Sequence, residues 1–175
     1  MRRVLIGGRM SLLALLQVCC VAAFALLLIA AGWQDLRTMR IANGLSLAVA
    51  ASFILWAGAG LLLGSVTMSQ IGWSAGCAIA VFAVGALAFA VGAIGGGDVK
   101  LLTVASLFAG PTRQFDFLAV TAIVGGLLGL AILAGAPIGP SARSQSHVGA
   151  LRSGLPYGPA IAAGGLWVAA SLLMA

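Results

Sequence analysis

Long apolar runs, each broken by a few polar residues, dominate this sequence. The first run, residues 11–32, holds about 22 residues, and about 20 apolar residues suffice for a helix to cross a bilayer. An open sheet would leave its edge groups without partners in lipid, and the runs lack the alternation of barrel strands. We therefore predict an all-α fold, a polytopic transmembrane bundle of about six helices in a single domain over residues 1–175. The six runs are approximately 11–32, 41–64, 71–94, 99–112, 117–136 and 155–174.

Two of these runs allow a second interpretation. The fourth run, 99–112, is only about 18–21 Å long as a helix, so five spans with one re-entrant segment are the alternative to six. The first run follows Arg2, Arg3 and Arg9, as the apolar core of a signal peptide would. That core is about 7–15 residues long, so the longer run predicts a retained transmembrane helix.

Composition excludes several classes of protein. Hydrophobic residues make up 62% of the chain and charged residues 7%, against roughly 25% charged in soluble domains. A soluble chain of this size could not bury so much apolar surface, which makes the lipid bilayer the expected environment. The net charge of +6 comes from scattered residues, so we expect no nucleic-acid partner.

No metal site or cofactor is expected from the sequence. The three cysteines lie inside apolar runs and form no CxxC pair, which gives no support for a zinc site or a disulfide framework. The single histidine, His147, lies in a polar stretch at 137–154 that is typical of an exposed loop. The cysteines are Cys19, Cys20 and Cys77.

The chain contains three acidic residues, and two of them are candidates for chemistry. Asp116 lies beside Arg113 in a polar break, where a solvated surface charge is expected. Asp35 follows the first run and Asp98 follows three glycines, with two apolar runs between the two aspartates. Because an even number of crossings returns the chain to the same side, both carboxyls are predicted to meet at one face of the membrane.

Taken singly, each aspartate also has a structural interpretation. Asp35 could be a loop charge, and Asp98 could cap a helix that begins at Val99. However, an ionised carboxylate at membrane depth costs about 2.5–3.5 kcal/mol, and unwound backbone there is tolerated only at a cavity or inside protein. As a pair, one carboxylate can take a proton from water while the other, protonated, donates to a scissile carbonyl oxygen. This is the chemistry of an aspartic peptidase.

Three motifs give the sequence a resemblance to a known family. Asp35, six residues before Ile41 in Arg40-Ile41-Ala42-Asn43, resembles the first aspartate motif of the prepilin peptidases, the type IV prepilin leader peptidase family. Gly95-Gly96-Gly97-Asp98 is similar to their GxGD motif, and Leu155-Pro156-Tyr157-Gly158-Pro159-Ala160 resembles their Pro-aromatic-Gly-Pro element. The resemblance extends from about residue 34 to residue 160.

The resemblance implies an aspartic endopeptidase in which Asp35 and Asp98 are catalytic. The residues expected to shape the site are Gly95, Gly97, Lys100, Asn43, Pro156 and Gly158. Lys100 either interacts with Asp98 or anchors the end of its helix, and Asn43 is expected at a helix start. Ala42 replaces the usual proline, which should loosen the start of the second helix.

The resemblance also implies a substrate. The chain looks like the short CpaA/TadV form that serves Flp (Tad) pili, whose substrates are prepilins and pseudopilins cut after a glycine that ends a short basic leader. The sequence contains no domain with paired cysteines ahead of the first run, so we expect neither a zinc domain nor N-methyltransferase activity.

Orientation and rival functions complete the expectations. The face predicted to hold the aspartates carries Arg37, Arg40, Lys100, Arg143 and Arg152, and the opposite face carries four basic residues if Met1 is the start and one if it is Met10. The positive-inside rule then favours a bacterial inner membrane protein whose active site faces the cytoplasm. The rivals are a small ion-coupled transporter, a non-enzymatic pilus assembly subunit, and a related membrane peptidase with another substrate. The sequence leaves open the oligomeric state, the pilin that is cleaved, and which aspartate acts as base.

Overall fold

The computed structural model describes the backbone of residues 2–136 and 156–174, and the side chains of 12–136 and 156–174. The predicted loop at 137–154 and His147 lie outside these residues. The described chain contains helices and no strand, so the predicted all-α class is confirmed. The helices are α1 (Arg2–Thr38), α2 (Asn43–Leu63), α3 (Met68–Ala90), α4 (Gly96–Leu133) and α5 (Gly158–Leu173).

Helix α4 is a hairpin of two limbs. Asp98 and Leu133 line one cavity, although a straight helix would hold them about 53 Å apart. The chain reverses at Gly110, whose φ of 54° and ψ of −173° are not helical. A hydrogen bond of 3.0 Å from Gln114 Nε2 to Ser106 Oγ bridges the bend. With limbs 96–109 and 111–133, the described chain has six helical segments, consistent with the predicted count.

The position of this bend corrects the prediction. We expected the break in the polar stretch 113–116, but those residues are helical and the break lies at Gly110. Gly110 adopts a φ/ψ region that is essentially restricted to glycine. Pro111 then begins the second limb, where its missing N–H costs no helical hydrogen bond.

Two further helix boundaries differ from the prediction, and both concern the aspartates. Helix α1 continues to Thr38 instead of ending near residue 32, so Asp35 lies within its last turns. Helix α4 begins at Gly96 with Gly95 as its N-cap, so Asp98 lies in the first turn and does not cap a helix at Val99. At both places, the position of the aspartate did not mark the residue at which the helix ends or begins.

The exposed surface of the bundle requires a membrane. Among the described residues, four helical stretches are long and apolar enough to cross one: Leu12–Thr38, Asn43–Leu63, Met68–Ala90 and Gly96–Leu133, the last of which contains both limbs of the hairpin. Helix α5 is a shorter apolar helix. Large apolar side chains such as Leu62, Val84 and Leu87 are about 70% exposed, far more than water would favour across a whole surface. The chain is a multi-pass membrane protein.

The core brings α1, α2 and the first limb of α4 together around aromatic rings. Phe24 of α1 stacks on Phe108 of α4 with ring centroids 4.1 Å apart, and Phe53 of α2 meets Phe108 edge-on at 5.3 Å. Glycines allow close approach elsewhere: a Cβ on Gly85 of α3 would lie 2.9 Å from Val99, the residue after Asp98. The aromatic rings thus pack the Gly110 end of the first limb against α1 and α2, and Gly85 lets its Asp98 end pack against α3.

The bend yields a stability prediction. In Gly110→Ala, the new Cβ would lie 2.9 Å from Ser74 Oγ and the backbone would keep an unfavourable positive φ. We expect the free energy of unfolding to fall by about 1–3 kcal/mol, measured by thermal unfolding of the purified protein in detergent. The matched control is Gly76→Ala in α3, where an added Cβ meets nothing within 4 Å and stability should not fall. Equal stability of the two variants would contradict the strained bend.

Candidate active site

Asp35 and Asp98 lie together at one end of the bundle. Their side chains are only 4% and 8% exposed, and they are close enough for their charges to interact. The first turn of α4 packs directly on the connection between α1 and α2, since a Cβ on Gly97 would lie 3.3 Å from Ile41 Cβ. The sequence predicted that both carboxyls lie on one face, because two spans separate them. The structure brings the two carboxyls together.

A backbone amide of α5 holds the carboxyl of Asp35. The Gly158 N–H donates a buried hydrogen bond of 2.8 Å to Asp35 Oδ2. This amide is available because the first amides of a helix have no partner within the helix. Gly158 is required sterically as well, because a Cβ there would lie 2.6 Å from Asp35 Cβ. Pro156, which precedes this turn, is fully buried.

Asp98 has one carboxyl oxygen without a partner. Its Oδ1 is buried and accepts no hydrogen bond, whereas Oδ2 lies 2.7 Å from the place a Cβ on Gly95 would occupy. A buried polar atom left unpaired costs about 1–3 kcal/mol, so such atoms are rare in folded proteins. Oδ1 is thus an unpaired acceptor that is buried in a mostly apolar environment.

The Asp98 side chain lines a cavity of about 680 Å³. The cavity lies between the end of α3, both limbs of α4 and the start of α5, and its volume falls within the range of ligand sites. Asp35 is not among its lining residues, so of the two carboxyls only that of Asp98 borders the cavity. Its other lining residues include Leu102, Leu118, Gly126, Tyr157 and Ile161.

A second cavity, of about 530 Å³, lies at the opposite end of the bundle around the Gly110 bend. Its lining includes Gln17, Gln70 and Arg113 beside aromatic side chains, and none of the described residues that line it is acidic. Those residues therefore offer no carboxyl for acid–base chemistry. The cavity beside Asp98 is the candidate site.

Lys100 and Asn43 form a contact at the rim of this site. Lys100 Nζ donates a hydrogen bond of 3.0 Å to Asn43 Oδ1, which ties the first turns of α4 and α2 together. This contact fits the anchoring role among the two considered for Lys100. Asn43 is the first residue of α2. The N-cap of α2 is Ala42, whose methyl side chain cannot accept a capping hydrogen bond.

Some lining residues could not be identified from the sequence as parts of a site. From the sequence, Tyr157 was noted only within the Pro-aromatic-Gly-Pro element, and Gly126 was not singled out, although both line the cavity. The signal that could have found Gly126 is the Gly125-Gly126 pair in mid-helix, where glycine costs about 1 kcal/mol relative to alanine. Such a cost invites a packing or functional reason.

Within residues 12–136 and 156–174, no three His, Cys, Asp or Glu side chains lie close enough together to hold a metal ion. The chemistry these residues offer at the cavity is that of two neighbouring carboxyls and one backbone amide.

Comparison with known protein families decides the identity of the chain. A family model described as the type IV leader peptidase family matches residues 22–130, more than half of the 175 residues. The chain belongs to the type IV leader peptidase family. The matched region contains both Asp35 and Asp98 and ends before α5. No curated protein and no solved structure matches the chain significantly.

Membership in this family confirms the resemblance to the prepilin peptidases. It supports a leader-peptidase function for the chain, with prepilins as the general class of substrate. The amide of Gly158, which contacts Asp35, lies outside the matched residues. Its hydrogen bond to Asp35 is therefore a finding of the structure and not of the family match.

The contact at Gly158 yields a prediction for this leader peptidase. In Gly158→Ala the added Cβ would collide with Asp35 and force α5 away from α1 or turn the carboxyl. We expect leader cleavage to slow by about 100-fold, because small displacements of reacting groups cost rates of that order. Cleavage is measured on a gel in membranes containing a prepilin, at matched amounts of enzyme.

Gly44→Ala is the matched control for this substitution. Gly44 occupies the first turn of α2, and an added Cβ there meets nothing within 4 Å, so cleavage should continue at the normal rate. Normal cleavage by Gly158→Ala would show that the close contact between α5 and Asp35 is not needed for activity.

Proposed function

We propose that the chain is an aspartic endopeptidase of the inner membrane that removes the short basic leader from prepilin-like substrates. Asp35 and Asp98 are its catalytic pair. The observation that carries the proposal is the meeting of two buried carboxyls beside a cavity in an otherwise apolar bundle. Isolated charges at such depth are expensive, and a pair positioned at a cavity is typical of acid–base function.

The reaction consumes one water molecule. Two carboxyls held close together in an apolar site share one proton, since ionising both brings like charges together. The ionised carboxylate takes a proton from water, whose oxygen bonds to the scissile carbonyl carbon, while the protonated carboxyl gives its proton to the carbonyl oxygen. The C–N bond then breaks as a proton reaches the leaving nitrogen, which yields a free carboxyl end and a free amine end.

The surrounding residues position this pair. Gly158 supplies the amide that fixes Asp35, and the buried Pro156 shapes the turn before it. Gly95 and Gly97 leave room for the Asp98 carboxyl and for the packing of Ile41 against α4. Lys100 and Asn43 join the helices that carry and flank the two aspartates. Asp98 lines the cavity and Asp35 does not, so we propose that Asp98 is the first of the two carboxyls to meet a substrate carbonyl.

Flp-type prepilins are the substrates that we propose. The basis is the resemblance of the two aspartate motifs and of the segment at 155–160 to the short CpaA/TadV form. The proposal includes no N-methyltransferase activity.

The test is co-expression in membranes with a Flp-type prepilin, with leader removal followed on a gel. Asp35→Asn and Asp98→Asn should each lower the cleavage rate by a factor of about 100 or more, because each substitution removes one acid–base group. Asp116→Asn is the matched control: Asp116 is exposed on the second limb of α4 and its substitution should leave cleavage unchanged. Each variant is compared at equal membrane levels.

The outcomes of this test separate the candidate functions. Cleavage that survives either active-site substitution would remove the aspartic mechanism and favour the transporter or assembly role. No cleavage by the wild type would count against Flp-type prepilins as substrates.

We also propose that the aspartate end faces the cytoplasm, where basic prepilin leaders reside. Arg37, Arg40 and Lys100 lie near this end, as the positive-inside rule favours for a cytoplasmic face. Alkaline phosphatase, which is active only in the periplasm, should be inactive when fused in the α3–α4 connection at 91–95. Fused in the α2–α3 connection at 64–67, at the opposite end of the bundle, it should be active. The reverse pattern would show that the site faces the periplasm.

A further inference from the structure

The cavity beside Asp98 has one wall that is unusually open. Gly125 and Gly126 are adjacent on the second limb of α4, but they face different surroundings. A Cβ on Gly125 would touch Ala160 and Tyr157 at ordinary contact distances of 3.5 and 3.8 Å, so this glycine packs against α5. A Cβ on Gly126 would meet nothing within 4 Å, and Gly126 is exposed while lining the cavity.

The packing of the bundle does not explain a glycine at position 126. A glycine in the middle of a helix costs about 1 kcal/mol relative to alanine, and here there is room for a side chain. What glycine does provide is space on the side of the cavity that faces Asp98. The neighbouring lining residues Ala122 and Gly129 are also small, so the second limb presents a smooth face over about two turns.

A small face alone indicates nothing, but this one lines the same cavity as a carboxyl of the proposed catalytic pair. Asp98 is more than nine-tenths buried, and its Oδ1 accepts no hydrogen bond. A substrate group that approaches Asp98 through the cavity must bring whatever is attached to it against the second limb. The remaining walls, including Leu102, Leu118 and Ile161, are apolar.

We propose that the face formed by Ala122, Gly126 and Gly129 receives the apolar residues of the substrate next to its scissile bond, and that Gly126 sets the largest side chain accepted there. The proposal rests on the proposed peptidase function and extends it to a specificity-determining position. The substrate backbone lies between this face and Asp98, with its scissile carbonyl toward the Asp98 carboxyl. The occupant of the cavity is an apolar peptide segment, since among the described residues that line it only Asp98 carries a charged side chain.

The test compares Gly126→Leu with Gly76→Leu. Both glycines are exposed in mid-helix and have no atom within 4 Å of an added Cβ, but Gly76 of α3 lines neither cavity. With a Flp-type prepilin in membranes, we expect Gly126→Leu to cleave at least about tenfold more slowly, the effect of one misfitting group in an apolar pocket. Gly76→Leu should cleave within about twofold of the wild-type rate. Thermal unfolding in detergent should show no loss of stability for either variant, since leucine forms helices better than glycine does.

A prepilin with a smaller side chain near the cleavage site distinguishes a change in specificity from a general loss of activity. Prepilins in which the large apolar residues just after the cleavage site are replaced by alanine, one at a time, should include one that Gly126→Leu cleaves at nearly the wild-type rate. Normal cleavage of the native prepilin by Gly126→Leu would overturn the proposal. Equal slowing on every shortened prepilin would overturn the role in specificity.

A binding measurement tests the same face without requiring cleavage. A photoreactive amino acid at Ala122, in the Asp35→Asn background that preserves the substrate, should cross-link to the prepilin. The same group at Ile79, which is exposed on α3 away from both cavities, should not. If the wild type fails to cleave, the proposed function fails, while the cross-link still decides whether the cavity holds an apolar segment. Cleavage by the wild type without a cross-link at Ala122 would overturn the inference alone.

Discussion

The buried hydrogen bond from the Gly158 amide to Asp35 Oδ2 joins α5 to α1 through two residues that are 123 positions apart in the chain. A carboxyl in the interior of a membrane protein needs such a partner, because lipid offers no hydrogen bonds to replace those of water. The start of α5 supplies one without adding a side chain, as its first amides have no partner within the helix. The position of Asp35, and through it the arrangement of the pair, therefore depends on how closely α5 approaches α1.

That close approach is maintained along the whole contact by small residues. A Cβ on Gly32 of α1 would lie 3.3 Å from Ala162 of α5, and a Cβ on Gly165 would collide with Leu28. On its other side α5 meets the second limb of α4, where a Cβ on Gly164 would lie 2.7 Å from the Phe117 carbonyl oxygen. Because helices in lipid associate through such packing, the short helix α5 is fixed between two long neighbours and can hold its first turn in place.

The sequence was sufficient to predict the class of fold and the pairing of the aspartates, for reasons that can be traced to particular residues. Apolar runs specify spans almost independently of their neighbours, and the parity of two spans between Asp35 and Asp98 does not require accurate helix ends. Helix ends themselves were predicted less well. Polar residues at 113–116 and around Asp35 suggested breaks, but a membrane helix continues through polar residues when it reaches the interface or a polar cavity.

Other features left weaker signals or none. The bend at Gly110 has a sequence signal, since a Gly-Pro pair marks turns. The prediction instead placed the break at the polar residues that follow this pair. The amide of Gly158 left no signal that residue chemistry could reveal, because every residue except proline carries one. Only the resemblance to a family motif pointed to that segment. The contact between Lys100 and Asn43, 57 positions apart, likewise depends on tertiary packing that spacing does not encode.

The hairpin of α4 has a consequence for how the site can change. Its first limb carries Asp98 and its second limb carries Gly126, so one bend at Gly110 sets the distance between the carboxyl and the opposite wall of the cavity. The first limb, 96–109, is about 21 Å long, shorter than the hydrocarbon core of about 30 Å, so it does not cross the whole core by itself. The bend borders the second cavity, whose lining includes Gln17, Gln70 and Arg113. These polar side chains surround the limbs at that end. A change in the angle at Gly110 would widen or narrow the cavity beside Asp98. Because the second limb also packs against α5, the same change would act on the contact that holds Asp35. The two carboxyls are thus linked through the second limb of α4, which lines the cavity with Asp98 and packs on the helix whose first amide binds Asp35.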